Sequence, residues 1–182
     1  MSIILRKNGA YMVDNNFTMI DRRVVVVCGF PGVGKSTLSD KSPLVINKVG
    51  RPGSIIPQWI VIDMESSGYD KSEFPDNYIA RIEQYIELVH QRGTNIVLLC
   101  SSHKAVRDAM HKAGISFVCA YPDKSLKSEY IDRYLARKNH PMPLKVVLDN
   151  WDNWIDELIE EEADHLVLES GQYLSDVIGT TL

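Results

Sequence analysis

Residues 24–37 constrain the fold of this chain more than any other stretch. The segment begins with a continuous run of apolar, β-branched residues that ends at Cys28, and such runs are typical of a strand buried on both faces in a parallel sheet. The run leads directly into Gly29-Phe30-Pro31-Gly32-Val33-Gly34-Lys35-Ser36, and residues 35–40 can begin a helix. A strand, a glycine-rich turn and a helix in immediate succession predict the first unit of an α/β sheet.

The glycine-rich turn fits the pattern G-x-x-x-x-G-K-[ST] without a mismatch. Its glycines allow successive N–H groups to converge on phosphate oxygens, and the helix N-terminus adds positive potential. Lys35 is predicted to reach the β- and γ-phosphates, Ser36 to ligate Mg²⁺, and Thr37 to contact the α-phosphate. The sequence therefore predicts a site for ATP, or a related nucleoside triphosphate, with Mg²⁺. The predicted nucleotide-binding residues are Gly29, Pro31, Gly32, Val33, Gly34, Lys35, Ser36 and Thr37.

Strands and helices alternate along the rest of the chain. A long loop is expected over 42–58, where proline and glycine recur, and Asn8-Gly9 indicates a tight turn in an N-terminal extension over 1–22. Residues 23–182 are expected to form one domain: a three-layer α/β fold with a five-stranded parallel sheet. Further strands are predicted at 60–62, 95–100, 115–121 and 165–168, and helices at 75–93, 103–113, 125–138, 143–162 and 173–178.

Charge and hydropathy exclude some classes of partner. The formal net charge of −4 disfavours a polyanion unless a local basic patch exists. No apolar stretch is long enough to span a membrane and the N-terminus lacks a secretory pattern, so a cytoplasmic location is expected. The widely spaced Cys28, Cys100 and Cys119 lie in apolar runs and are expected to be buried, reduced thiols.

Polar residues follow the second and third predicted strands. Asp63 comes directly after Ile62; a carboxylate there could accept a proton from an attacking hydroxyl or help to hold Mg²⁺, and the alternative is a loop acid or helix cap. Glu65 could share this role. The third strand ends in Ser101-Ser102-His103, where many P-loop enzymes carry a metal-supporting Asp. These residues could contact an acceptor, or Ser102 could simply cap the next helix.

Aromatic residues offer weaker signals. Tyr69, Tyr78 and Arg81 could border an acceptor pocket, and burial in the core is an equally good interpretation. Trp151 and Trp154 share one helical face, which favours core packing over base stacking.

The P-loop, Asp63 and the helix Tyr130–Arg137 together resemble the nucleoside and nucleotide kinase branch of P-loop proteins. The stretches 101–108, 121–137, 150–158 and 168–178 are similar to the adenylate kinase-like proteins of tailed bacteriophages, so the likeness covers about residues 23–180. It implies the strand order 2-3-1-4-5 and a mobile lid between the fourth strand and the next helix, near 122–140. It also implies that Arg133 and Arg137, an R-x-x-x-R pair, close over the phosphates. The alternative is a solvated basic face paired with Glu129 and Asp132.

The leading hypothesis is a phosphotransferase that moves the γ-phosphoryl group of ATP to a small acceptor, a nucleoside or nucleotide. Its predicted catalytic residues are Lys35, Asp63, Arg133 and Arg137, and its metal ligands Ser36 and Asp63. A kinase acting on nucleic acid is less favoured and would need a basic groove, built from Arg51, Lys104, Arg107 and Lys127. A third hypothesis, an ATP-binding regulatory module with little turnover, follows from the missing acid after the third strand.

Overall fold

The computed structural model describes residues 24–45, 58–92, 95–136 and 144–180. Its strands are β1 (Val24–Gly29), β2 (Leu44–Val45), β3 (Gln58–Asp63), β4 (Asn95–Ser101), β5 (Val118–Pro122) and β6 (Asp164–Leu168). Its α-helices are α1 (Lys35–Ser39), α2 (Asp76–Arg92), α3 (Lys104–Lys112), α4 (Lys127–Ala136), α5 (Leu144–Ile159) and α6 (Leu174–Val177). Short 3-10 turns occupy Ser66–Gly68, Lys124–Leu126 and Ile178–Thr180.

The described strands form one sheet in the order β2-β3-β4-β1-β5-β6. All neighbours pair in parallel except β2, which runs antiparallel to β3 at the edge. The five parallel strands lie in the order β3-β4-β1-β5-β6, which is 2-3-1-4-5 when they alone are numbered along the chain. The predicted α/β class and strand order are therefore confirmed. The edge strand β2 was not predicted, because two residues within a proline- and glycine-rich segment are too few to show a strand periodicity.

Strands β1, β4 and β5 form the centre of the core. Nearly every residue of these strands is buried, as a parallel sheet covered by helices on both faces requires. Cys28, Cys100 and Cys119 are side by side across them, all buried and free. Burial raises the pKa of both Cys100 and Cys119 to about 12. The expectation of buried, reduced thiols is therefore confirmed.

The connection between β5 and α4 is short. Only four residues separate β5 from α4, and three of them form a 3-10 turn. Residues 127–136 of the predicted lid segment near 122–140 form α4, and the mobile lid itself stays a prediction. Residues 137–140 of the predicted lid segment, Arg137 among them, lie outside the described residues, as does the predicted N-terminal hairpin.

No helix within the described ranges has both the length and the apolar character needed to cross a membrane.

Candidate functional site

The glycine-rich loop connects β1 to α1 at the carboxyl end of the sheet, where ligands bind in folds of this kind. The Phe30 N–H donates to the Ala120 carbonyl at 2.7 Å, which anchors the loop to β5. Gly32 and Gly34 have φ values of 86° and 96°, a region that L side chains rarely adopt. The Lys35 ammonium donates to the Gly29 carbonyl at 2.7 Å. The loop therefore curls around the lysine as a phosphate-binding loop must.

Lys35 carries the positive charge at the centre of this loop. Desolvation lowers its pKa below the ordinary value, and the nearby carboxylates of Asp63 and Glu65 partly oppose that effect. Its ammonium bonds to neutral carbonyl oxygens. An anion entering the loop would give this desolvated charge the partner that it lacks.

Ser36 and Asp63 meet at the other side of the loop. The Ser36 hydroxyl donates to Asp63 Oδ2 at 2.9 Å, although the two residues are 27 positions apart in sequence. Asp63 is the last residue of β3, so the sheet itself delivers its carboxylate to the first turn of α1. Two hard oxygen atoms at this spacing fit a shared Mg²⁺, which takes few protein ligands and keeps phosphate and water in its remaining positions. The described residues contain no cluster of three or more His, Cys, Asp or Glu side chains arranged for a metal.

The end of β4 is polar but carries no acid. Ser101 lies opposite Gly29 in the sheet register, and Ser101, Ser102 and His103 all line the cleft. The predicted capping role of Ser102 is not observed: His103 is the N-cap of α3 without a side-chain hydrogen bond. Desolvation in the cleft, together with the neighbouring Arg107, Lys71 and Lys35, lowers the pKa of His103.

Tyr78 is a core residue that holds two strand ends at the cleft. It is fully buried, its hydroxyl donates to the Met64 carbonyl at 2.7 Å, and it accepts the Ser101 N–H at 3.1 Å. It therefore links the ends of β3 and β4 as a core residue and does not line the cleft. Tyr69 packs against Tyr78 with ring centroids 4.8 Å apart, and Arg81 lies over the Tyr85 ring.

Arg133 lies across the cleft from these strand ends. Its side chain is only 10% exposed, with the guanidinium carbon 4.6 Å from the Tyr130 ring centroid and 4.1 Å from that of Tyr173. One terminal nitrogen donates to Glu129 at 2.5 Å and to the Gln172 carbonyl at 2.8 Å. The other, Nη1, is buried without a hydrogen-bond partner. A solvated basic face is therefore wrong for Arg133, although its pairing with Glu129 is observed.

Glu129 links α4 to the loop that precedes α6. Its carboxylate accepts the Ser170 hydroxyl at 2.8 Å and the Gly171 N–H at 3.0 Å. The Ser170 bond lowers the pKa of Glu129 most, with Gly171 and Arg133 adding to the effect against the opposing desolvation. The same loop is fastened to the glycine-rich loop, because the Leu174 N–H donates to the Val33 carbonyl at 2.8 Å.

The sequence patterns did not identify Glu129 and Tyr173 as residues of the candidate site. The Tyr173 ring packs against the Arg133 guanidinium, and a Cβ placed on Gly34 would come within 3.1 Å of this ring. The Leu168–Ile178 stretch belongs to the resemblance, but no local pattern shows that it folds back onto the glycine-rich loop.

One cleft of about 1000 Å³ joins these parts. The predicted Lys35, Ser36, Asp63 and Arg133 all line it, as do Trp154 and Glu157 of α5. Trp151 does not, because it is buried against Phe30 with ring centroids 5.3 Å apart. The predicted packing role therefore holds for Trp151, whereas Trp154 is half-buried with one part in the cleft.

The basic groove that a nucleic-acid substrate would need is not formed by the described residues. Lys104 pairs with Asp108 at 2.7 Å and Lys127 with Asp152 at 3.2 Å. Arg107 is buried and bonded to Glu161 at 2.5 Å and to the Ser102 carbonyl. Arg51 lies outside the described residues. The three described cations are thus neutralised by carboxylates.

The chain matches no protein-family model, and among curated proteins no significant match is found.

The geometry of Gly34 gives a first testable prediction. An alanine there would adopt a strained backbone and place its Cβ 3.1 Å from the Tyr173 ring, whereas Gly114 has φ +69° with open space around it. We expect Gly34→Ala and Gly114→Ala each to lower the free energy of unfolding by about 1–2 kcal/mol, measured by denaturant titration. Nucleotide affinity should fall only in Gly34→Ala. Equal loss of affinity in both variants would contradict a specific role for the Gly34–Tyr173 contact.

Proposed function

We propose that this protein is a Mg²⁺-dependent phosphotransferase that moves the γ-phosphoryl group of ATP to the hydroxyl or phosphate oxygen of a small acceptor, a nucleoside or nucleotide. The observation that carries the proposal is the 2.9 Å contact between Ser36 of the P-loop and Asp63 at the end of β3. It joins a phosphate cradle to a carboxylate in one cleft. The fold alone would not support a particular reaction.

Three groups of residues divide the work in this mechanism. The P-loop N–H groups and Lys35 hold the β- and γ-phosphates, and the guanidinium of Arg133, which lines the cleft, stabilises the transferring phosphoryl group, where charge develops. Asp63 orients the acceptor hydroxyl and accepts its proton. A bond then forms between the acceptor oxygen and the γ-phosphorus, the bond to the β–γ bridging oxygen breaks, and ADP leaves.

Ser36 and Asp63 would hold the magnesium ion, directly or through water. Mg²⁺ supplies charge neutralisation on the phosphate oxygens when it is bound. Both roles of Asp63 are compatible, because a carboxylate has two oxygen atoms and Ser36 occupies only one of them in this structure.

The resemblance to small P-loop kinases, including the adenylate kinase-like proteins of tailed bacteriophages, supports the reaction class. Free, buried thiols suit a reducing compartment, which supports the proposed cytoplasmic location. The neutralised cations near the cleft favour a small acceptor over a nucleic-acid end.

The proposal is tested by transfer from γ-labelled ATP with Mg²⁺ to a panel of nucleosides, nucleoside monophosphates and oligonucleotides. A labelled small-molecule product that disappears in Lys35→Ala is the expected result. A labelled oligonucleotide would replace the acceptor class, and tight nucleotide binding without any product would contradict the enzyme assignment.

A second function, a nucleotide-binding regulatory module, is favoured by one observation. The strand next to the P-loop strand, β4, ends in Ser101 and Ser102 without a carboxylate. Turnover would be slow if Asp63 did not take over the role of the carboxylate that is missing at the end of β4. Nucleotide binding without transfer in the same experiment would select this function.

The contacts of Tyr173 predict a positioning role for this residue. Its ring covers one face of the Arg133 guanidinium at 4.1 Å, so Tyr173→Leu should loosen Arg133 and lower kcat by about tenfold with little change in the KM for ATP. Tyr173→Phe keeps the ring and should restore kcat to near the wild-type value. Equal effects of the two substitutions would show that the ring does not position the arginine.

A further inference from the structure

We propose that the wall of the cleft formed by α5 is the acceptor subsite, where the uncharged planar base of a nucleoside stacks on Trp154. This inference rests on the proposed phosphotransferase function and specifies its acceptor class. It begins from the contrast between Trp154 and the other tryptophans of the chain. Trp59 and Trp151 are 3% and 1% exposed, whereas Trp154 is half-buried and lines the cleft.

The Trp154 ring is held in place from beneath. It meets the buried Phe30 ring edge-on, with centroids 6.4 Å apart, and Phe30 is part of the P-loop itself. A half-exposed aromatic ring, fixed by core packing and open to a cleft, is a surface on which a flat ring can stack at little entropic cost. Its connection through Phe30 places this surface beside the phosphate loop.

The charges along this wall disfavour an anionic acceptor. Glu157, one turn after Trp154 on α5, lines the cleft and is 34% exposed. The nearby Arg107 is only 3% exposed and is engaged by Glu157 and Glu161, so it has no charge to offer a phosphate. Lys104, at the start of α3, is paired with Asp108.

The cleft cations for which no carboxylate partner is found among the described residues lie elsewhere: Lys35 in the P-loop, Lys41 after α1 and Lys71 in the loop after β3. Arg133 of α4 also lines the cleft and is paired with Glu129. Phosphate recognition is therefore concentrated away from the α5 wall, and that wall combines an aromatic ring with a carboxylate. A nucleobase matches both features, since its face stacks on the indole and its N–H groups can donate to Glu157.

Intrinsic fluorescence of the full chain tests the inference without requiring turnover. Adenosine and thymidine should quench the tryptophan emission, and ribose, which has no planar base, should not. The quenching should persist with a non-hydrolysable ATP analogue and Mg²⁺ already bound, because the two ligands occupy different parts of the cleft. In the opposite outcome, the ATP analogue itself quenches the emission and prevents the nucleosides from binding. Trp154 would then contact the base of ATP, and the inference would be overturned.

Substitutions at position 154 supply the second arm. We expect Trp154→Ala to weaken nucleoside binding by about tenfold to a hundredfold in calorimetry and to leave affinity for the ATP analogue unchanged. Trp154→Phe should abolish the quenching but retain most of the nucleoside affinity, which also guards against loss of folding in the alanine variant. Ile159→Ala, on the same helix and 49% exposed, is the matched control and should change neither.

Two further outcomes would overturn the acceptor class. One is unchanged nucleoside affinity in a folded Trp154→Ala, and the other is tighter binding of nucleoside monophosphates than of nucleosides. Either result could occur with nucleotide binding at the P-loop intact, in which case the proposed function would survive. Failure of the ATP analogue to bind would instead contradict the proposed function, whatever the nucleosides do.

Discussion

Lys35→Ala is expected to reduce phosphoryl transfer by about a thousandfold or more while leaving the fold intact. The ammonium is the one charge held inside the P-loop, and among the described residues it bonds to the carbonyls of Gly29 and Phe30. Removing it therefore breaks hydrogen bonds within the turn that joins β1 to α1 and leaves the pairing of the strands intact. The measurement is single-turnover transfer from γ-labelled ATP, with thermal unfolding followed in parallel.

Lys112→Ala provides the control for this experiment. Lys112 is exposed at the end of α3 and does not line the cleft, so its loss changes the net charge equally without touching the loop. Its transfer rate should equal that of the wild type. Near-normal transfer by a folded Lys35→Ala would place the phosphate site elsewhere.

Asp63→Asn should lower turnover by about a hundredfold to ten-thousandfold and have little effect on ATP affinity without Mg²⁺. The amide oxygen can still accept the Ser36 hydroxyl, so the local geometry survives. The negative charge and the capacity to take a proton are lost. The measurement is the single-turnover rate as a function of Mg²⁺ concentration, where the variant should need more metal.

Glu65→Gln separates the two neighbouring carboxylates. Glu65 also lines the cleft, but its side chain accepts the Ser67 N–H at 3.2 Å and caps the following 3-10 turn. We expect its rate to stay within about threefold of the wild type, since the amide can still cap. An unchanged rate in Asp63→Asn with a large loss in Glu65→Gln would transfer the base role to Glu65.

Much of the fold could be predicted because its signals are local. The apolar run before Gly29 and the apolar residues of β4 and β5 are buried because a central parallel strand has no face toward solvent. The strand order followed from the family resemblance, and the register of β1 between β4 and β5 bears it out. The two-residue strand β2 was not predicted, because its pairing with β3 makes it a strand and its own sequence does not.

The candidate site was predictable in its parts and not in their connections. The P-loop is contiguous, so its chemistry can be recognised from the spacing of its residues. The burial of Arg133 depends on Tyr130, three positions earlier on the same helix, and on Tyr173 from the far end of the chain. Sequence spacing alone could not distinguish that stacked arginine from a solvated one.

The sequence by itself determined the glycine-rich loop between a strand and a helix, the parallel sheet and the placement of Asp63 at a strand end, because each follows from short-range stereochemistry and hydrophobic periodicity. The tertiary structure decided which side chains share the cleft. It brought Asp63 to Ser36, folded Tyr173 onto Gly34 and Arg133, buried Arg107 among carboxylates, and left Trp154 partly open while burying Trp151. These contacts form because elements that are distant in sequence meet at the carboxyl end of one sheet. Packing between distant elements leaves no periodic pattern in the sequence.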